Sequence, residues 1–81
     1  MGFSMLFMSS IHSKDYRELI VRLKEARKTA GFTQLEVAER LKKPQSFISK
    51  IESGQRRIDV LELKEFAGLY GIDVSQLMGS K

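Results

Sequence analysis

The chain has 81 residues, of which 42% are apolar and 30% charged, a balance typical of one small folded domain and not of a disordered segment. A domain of this size buries roughly 60% of the surface that its unfolded chain exposes, so its stability depends on packing. The absence of cysteine excludes disulfides and thiolate metal sites, whereas the net charge of +4 is compatible both with a polyanionic partner and with an ordinary solvated surface.

Residues 1–13 form an N-terminal lead, which we predict to be flexible or associated with a dimer interface, ahead of a folded domain at residues 14–79. The apolar run in this lead is too short to span a membrane and lacks the basic flank of a secretory signal. We therefore expect a cytoplasmic protein without a membrane partner. The lead has two possible interpretations: an apolar arm that takes part in dimerisation, or a frayed terminus. His12 has no carboxylate cluster near it in sequence, so we interpret it as a solvated side chain.

The first helix is predicted over about residues 15–30. Apolar residues recur there at spacings of three and four, which is the pattern of a helix with one buried face. The positions are Tyr16, Leu19, Ile20, Leu23, Ala26 and Ala30. Asp15 with Glu18 resembles a capping pair at the start of this helix, and Gly31 is suited to the left-handed conformation that ends it.

Two short helices are predicted next, separated by Lys42 and Lys43. Thr33-x-x-Glu36 is a capping box that opens the first of them. Pro44 suits the first position of the second, where its missing N–H costs nothing, so that helix should cover about 44–52 and end at Ser53-Gly54. The expected inward residues are Val37, Ala38 and Leu41 in one helix, and Phe47 or Ile48, followed by Ile51, in the other.

Two further helices follow an exposed basic loop at residues 55–57. Asp59-x-x-Glu62 caps the fourth helix, which Gly71 ends, and Asp73-x-x-Gln76 starts a short fifth helix. No segment shows the alternating pattern of a strand. The sequence therefore predicts an all-α fold, a compact bundle of five helices.

Positive charge is concentrated in the first two thirds of the chain. Residues 1–33 and residues 34–57 each carry six Lys or Arg against three acids, whereas residues 58–81 carry two against four. This asymmetry favours a polyanion on one side of the domain.

Residues 19–78 resemble the phage repressor/Cro-like, or Xre-type, family of helix-turn-helix DNA-binding proteins. The resemblance rests on L-K-E-A-R-K-T-A-G-F-T-Q-L-E-V-A-E-R-L, then P-Q-S-F-I-S-K-I-E-S-G, then L-K-E-F-A-G-L-Y-G-I-D-V-S-Q-L. The elements T-Q-x-x-x-A and I-S-x-x-E-x-G at this separation are specific to it. The resemblance implies a lambda-repressor-like fold and a transcriptional regulator, with repression as the default role. It also implies a homodimer that binds double-stranded DNA at a near-palindromic operator through the major groove.

The resemblance also assigns roles to individual residues. It implies contacts to DNA bases from Gln45, Ser46 and Lys50. It implies contacts to DNA phosphates from Gln34, Lys42, Lys43, Ser49, Arg56 and Arg57. It implies a structural role for Ala38, Arg27, Glu52 and Gly54. Ala38 must stay small where the two motif helices cross. Arg27 and Glu52 would form an ion pair between helices one and three, and Gly54 follows the third helix. Overpacking at a position such as Ala38 typically costs about 1–3 kcal/mol.

Three positions depart from the family pattern. Lys42 replaces the usual glycine and must therefore tolerate a positive φ or reshape the turn. Lys43-Pro44 replaces a valine-serine cap. Phe47 replaces a small polar residue, and it either packs against the domain, which we favour, or contacts a thymine methyl.

A protein-interaction module, such as an antitoxin or accessory factor, is the alternative function. It would use the same fold, with the lead or a surface containing Leu61 and Leu69 bound to a protein. An enzyme is not expected, because the sequence has no acid–base pair, nucleophile constellation or phosphate-binding loop. We predict no cofactor, no metal site and no small-molecule substrate.

Overall fold

The computed structural model describes residues 13–79. His12 and the rest of the predicted lead except Ser13 lie outside that range, so the predictions about the lead stay predictions. Within that range the fold is all-α, as predicted. The helices in chain order are α1 (Lys14–Thr29), α2 (Gln34–Leu41), α3 (Gln45–Glu52), α4 (Val60–Tyr70) and α5 (Val74–Met78). None of these helices combines the length and the apolar character that crossing a membrane would require.

The start of α1 differs from the prediction. Ser13, in an extended conformation, is the N-cap, and its hydroxyl oxygen accepts a hydrogen bond from the Tyr16 N–H at 3.1 Å. The expected capping pair of Asp15 and Glu18 was therefore wrong, because both residues already lie inside the helix. Glu18 instead pairs with Arg22 one turn later at 3.5 Å.

The three other predicted capping boxes are present in the structure. Each box satisfies two backbone N–H groups that a helix start would otherwise leave unpaired, which fixes where the helix begins. The boxes are Thr33 with Glu36 at α2, Asp59 with Glu62 at α4, and Asp73 with Gln76 at α5.

All five helices contribute to one hydrophobic core. Its most deeply buried side chains are Leu23, Val37, Ile48, Ile51, Phe66 and Leu77. Phe66 and Tyr70 lie side by side with ring centroids 6.0 Å apart. Burial raises the pKa of the Tyr70 hydroxyl above its ordinary value. Because α1, α2 and α3 all pack into this core, the exposed face of α3 has a defined position on the domain.

Candidate nucleic-acid interface

The backbone between α2 and α3 makes a tight turn. Lys42 adopts the left-handed conformation, with φ 59° and ψ 48°, and Lys43 N–H donates to the Ala38 carbonyl at 2.9 Å. Lysine thus tolerates the positive φ that the family usually assigns to glycine. Pro44 is the N-cap of α3 and not its first helical residue, so α3 begins at Gln45, one residue later than predicted.

One face of α3 is polar and exposed. Gln45, Ser46 and Lys50 are exposed and Ser49 is half-buried, whereas Ile48, Ile51 and Glu52 face the core. At 3.6 residues per turn, the four polar residues occupy an arc of about 140° on the side opposite the buried ones. The structure therefore brings the three predicted base-contact residues together on one accessible face.

Phe47 lies at the border between the two faces of α3. Its side chain is half-buried and packs against the hydrophobic core. The guanidinium of Arg56 lies over its ring at 4.6 Å from the centroid, and the Lys43 ammonium lies 5.1 Å from the same centroid. Such cation–π contacts attract both cations to the ring, beside α3.

A buried ion pair braces α3 from behind. Arg27 of α1 donates to both carboxylate oxygens of Glu52 at 2.7 and 3.0 Å, and also to the Phe32 carbonyl at 2.9 Å. This hydrogen bonding raises the pKa of Arg27 above its ordinary value. The pair thereby links α1, the connection into α2, and the end of α3.

Gln34 joins the same buried network. Its amide nitrogen donates to a Glu52 oxygen at 3.0 Å, so this side chain holds α2 against α3. This bond uses one of the two N–H donors of the Gln34 amide, so the phosphate contact predicted for this amide and the neighbouring backbone N–H groups stays a prediction. Sequence reasoning missed this bond, because Gln34 and Glu52 lie 18 residues apart and neither position shows a pattern that links them.

The remaining predicted phosphate contacts surround the polar face of α3. Lys42, Lys43 and Arg57 are exposed on the connections before and after this helix. The loop after α3 is tied to that helix, because the N–H groups of Gln55 and Arg56 both donate to the Lys50 carbonyl, at 2.8 and 3.1 Å. Cationic side chains thus lie at both ends of the exposed face.

Arg56 forms an ion pair that the sequence did not reveal. It donates to both oxygens of Glu62 at 2.9 and 3.1 Å, and these bonds lower the pKa of the Glu62 carboxyl below its ordinary value. Glu62 was recognised as the capping partner of Asp59. Its second role joins a loop to a helix start, where no helical spacing could have indicated it.

A polar helix face with cations at both ends, held by a second helix and a fixed turn, defines a helix-turn-helix DNA-binding domain. The arrangement offers hydrogen-bond donors and acceptors to base edges and positive charge to phosphates. Among residues 13–79, no group of three or more His, Cys, Asp or Glu side chains could hold a metal ion.

The chain belongs to the helix-turn-helix family of the Xre type, whose family model, described as "Helix-turn-helix", matches residues 23–77. It is 40% identical over 58 residues to the HTH-type transcriptional regulator ImmR of Bacillus subtilis (strain 168). That match covers 72% of this chain, and the chain spans about half, 46%, of the length of this relative. No solved structure matches the chain significantly.

Proposed function

We propose that this protein is a sequence-specific regulator of transcription that places α3 in the major groove of double-stranded DNA. The observation that carries this proposal is the exposed face of α3 with Gln45, Ser46 and Lys50, braced by α2 and by the buried ion pair of Arg27 with Glu52. The similarity to a transcriptional regulator supports the same role.

Discrimination between sequences would come from the three exposed residues of α3. A glutamine such as Gln45 can bond adenine N6 and N7 together, and a lysine such as Lys50 suits guanine O6 or N7. Ser46 lies beside Gln45 at the leading end of the helix, where a side chain can reach base edges first.

General affinity for DNA would come from contacts to phosphates. Lys42, Lys43, Arg56 and Arg57 supply positive charge around α3, and Ser49 adds a hydroxyl near that face. At α2, the backbone N–H groups from Gln34 onwards would bind a phosphate, as helix N-termini do. These contacts act on any sequence, so they set affinity and salt dependence and not specificity.

We further propose that the protein works as a homodimer and as a repressor. A two-fold dimer would read two half-sites about 34–36 Å apart, one turn of DNA. Repression requires only that the bound protein blocks polymerase, which suits a small DNA reader. Val60 and Leu61, at the start of α4, are exposed at 65% and 68%, and they form an apolar surface suited to a protein contact. For the alternative of a protein-interaction module, the predicted surface of Leu61 and Leu69 is only partly accessible, because Leu69 is half-buried and packs against the hydrophobic core.

Selection of duplexes from a random pool at fixed salt, with solution mass measured in parallel, tests this function. We expect one enriched motif with two-fold symmetry and a dimer mass on the selected duplex. A pool that stays random after repeated selection would contradict sequence-specific binding. An enriched motif of one half-site only, bound by a protein of monomer mass, would contradict the dimer.

A further inference from the structure

Glu62 places a negative charge beside the cations that surround α3. Its carboxylate lies within hydrogen-bond distance of Arg56 and has a side-chain exposure of only 16%. An anion at this position opposes the approach of DNA phosphates, since like charges repel. If the protein binds DNA through this face, a favourable contribution of Glu62 must outweigh this electrostatic repulsion.

The Arg56 guanidinium is held on three sides. Two of its nitrogens donate to Glu62, one of them also donates to the Arg57 carbonyl at 2.7 Å, and its central carbon lies over the Phe47 ring. A guanidinium has five N–H donors, and the bonds to residues 13–79 use three of them. The N–H on Nε and one on Nη2 are left for a further acceptor.

Arg56 is also held against α3. Its backbone N–H donates to the carbonyl of Lys50, and its side chain contacts Phe47, so both ends of the residue bond to or contact α3. Glu62, in turn, is held in place by accepting the Asp59 N–H at 3.0 Å within the capping box. The result is a chain of contacts from α4 through Arg56 to α3.

We propose that Glu62 is a positioning residue for DNA binding: it orients Arg56 over Phe47 so that the remaining guanidinium N–H groups contact a DNA phosphate beside α3. This inference depends on the proposed DNA-binding function. A pre-oriented arginine loses less conformational freedom when it binds phosphate, so the gain in affinity outweighs the repulsion by Glu62.

The sign of one substitution tests this role. Glu62→Gln makes the protein more positive, so electrostatics alone predicts tighter binding to DNA. The positioning role predicts the opposite, a loss of roughly three- to tenfold on selected and random duplexes alike, with the salt slope reduced by up to about one unit. Glutamine keeps an oxygen that can accept the Asp59 N–H, so the helix cap and the melting temperature should change little.

Glu65→Gln is the matched control, because it makes the same change of charge one turn further along α4, at an exposed residue. Its binding should stay within about twofold of the natural protein or become slightly tighter. A further arm uses Arg56→Ala: adding Glu62→Gln to this variant should cause no additional loss, because there is no arginine left to orient.

The results distinguish the positioning role of Glu62 from the DNA-binding function itself. Binding by Glu62→Gln that equals or exceeds that of Glu65→Gln would overturn the positioning role, while leaving the DNA-binding function intact. A loss of affinity for Glu62→Gln that persists in the Arg56→Ala variant would also overturn it, since the effect would then not act through Arg56. Failure of the natural protein to bind any duplex would instead contradict the proposed function itself.

Discussion

Glu52→Gln should lower the free energy of unfolding by about 3–5 kcal/mol. The Glu52 side chain is only 2% exposed and that of Arg27 only 11%, so the substitution leaves a buried guanidinium without its counter-charge. It also replaces one of the two carboxylate oxygens that accept from Arg27, of which Oε1 also accepts from Gln34. Denaturant unfolding at neutral pH measures the change as a shift of the midpoint.

Glu18→Gln provides the matched control for this prediction. Glu18 pairs with Arg22 at 3.5 Å on the surface of α1, where both side chains are more than a third exposed. Removal of such a pair should cost no more than about 0.3–0.5 kcal/mol. Similar small losses from both variants would show that the ion pair of Arg27 with Glu52 does not hold α3 in place.

Phe66→Ala should destabilise the domain by about 3–5 kcal/mol, the range for a deleted phenylalanine in a closed core. Phe66 is 1% exposed and packs against Tyr70 in α4. In a domain of this size each kcal/mol lowers Tm by about 4–8 °C, so thermal unfolding should show a large shift. The loss approaches the whole stability of many small domains.

Leu61→Ala on the same helix serves as the comparison, since Leu61 is 68% exposed. Measured at low protein concentration, it should change the free energy of unfolding by no more than about 0.5 kcal/mol. A loss below about 2 kcal/mol for Phe66→Ala would contradict the central position of that ring in the core.

Local signals in the sequence predicted most of the fold. Capping boxes at Thr33, Asp59 and Asp73 marked three helix starts, because each depends on residues only three positions apart. The predicted start of α1 was wrong because Ser13 and Asp15 are both common N-cap residues. Sequence alone does not decide between two such candidates this close together.

The candidate site was predicted less completely, because its supporting contacts join residues of different elements, at separations that no helical spacing links. The bond from Gln34 to Glu52 and the ion pair of Arg56 with Glu62 both depend on tertiary placement. The exposed face of α3 was predictable, since helical periodicity separates Gln45 and Lys50 from Ile48 and Ile51. Periodicity does not show which cations already have an acidic partner.

The most direct test of the central claim compares the natural protein with Gln45→Ala on two duplexes of equal length at the same salt: the selected motif and a scrambled version of it. We predict a loss of about 1–3 kcal/mol, roughly 5- to 150-fold in Kd, on the selected motif and less than about twofold on the scrambled duplex. Equal losses on both duplexes would contradict base reading by α3.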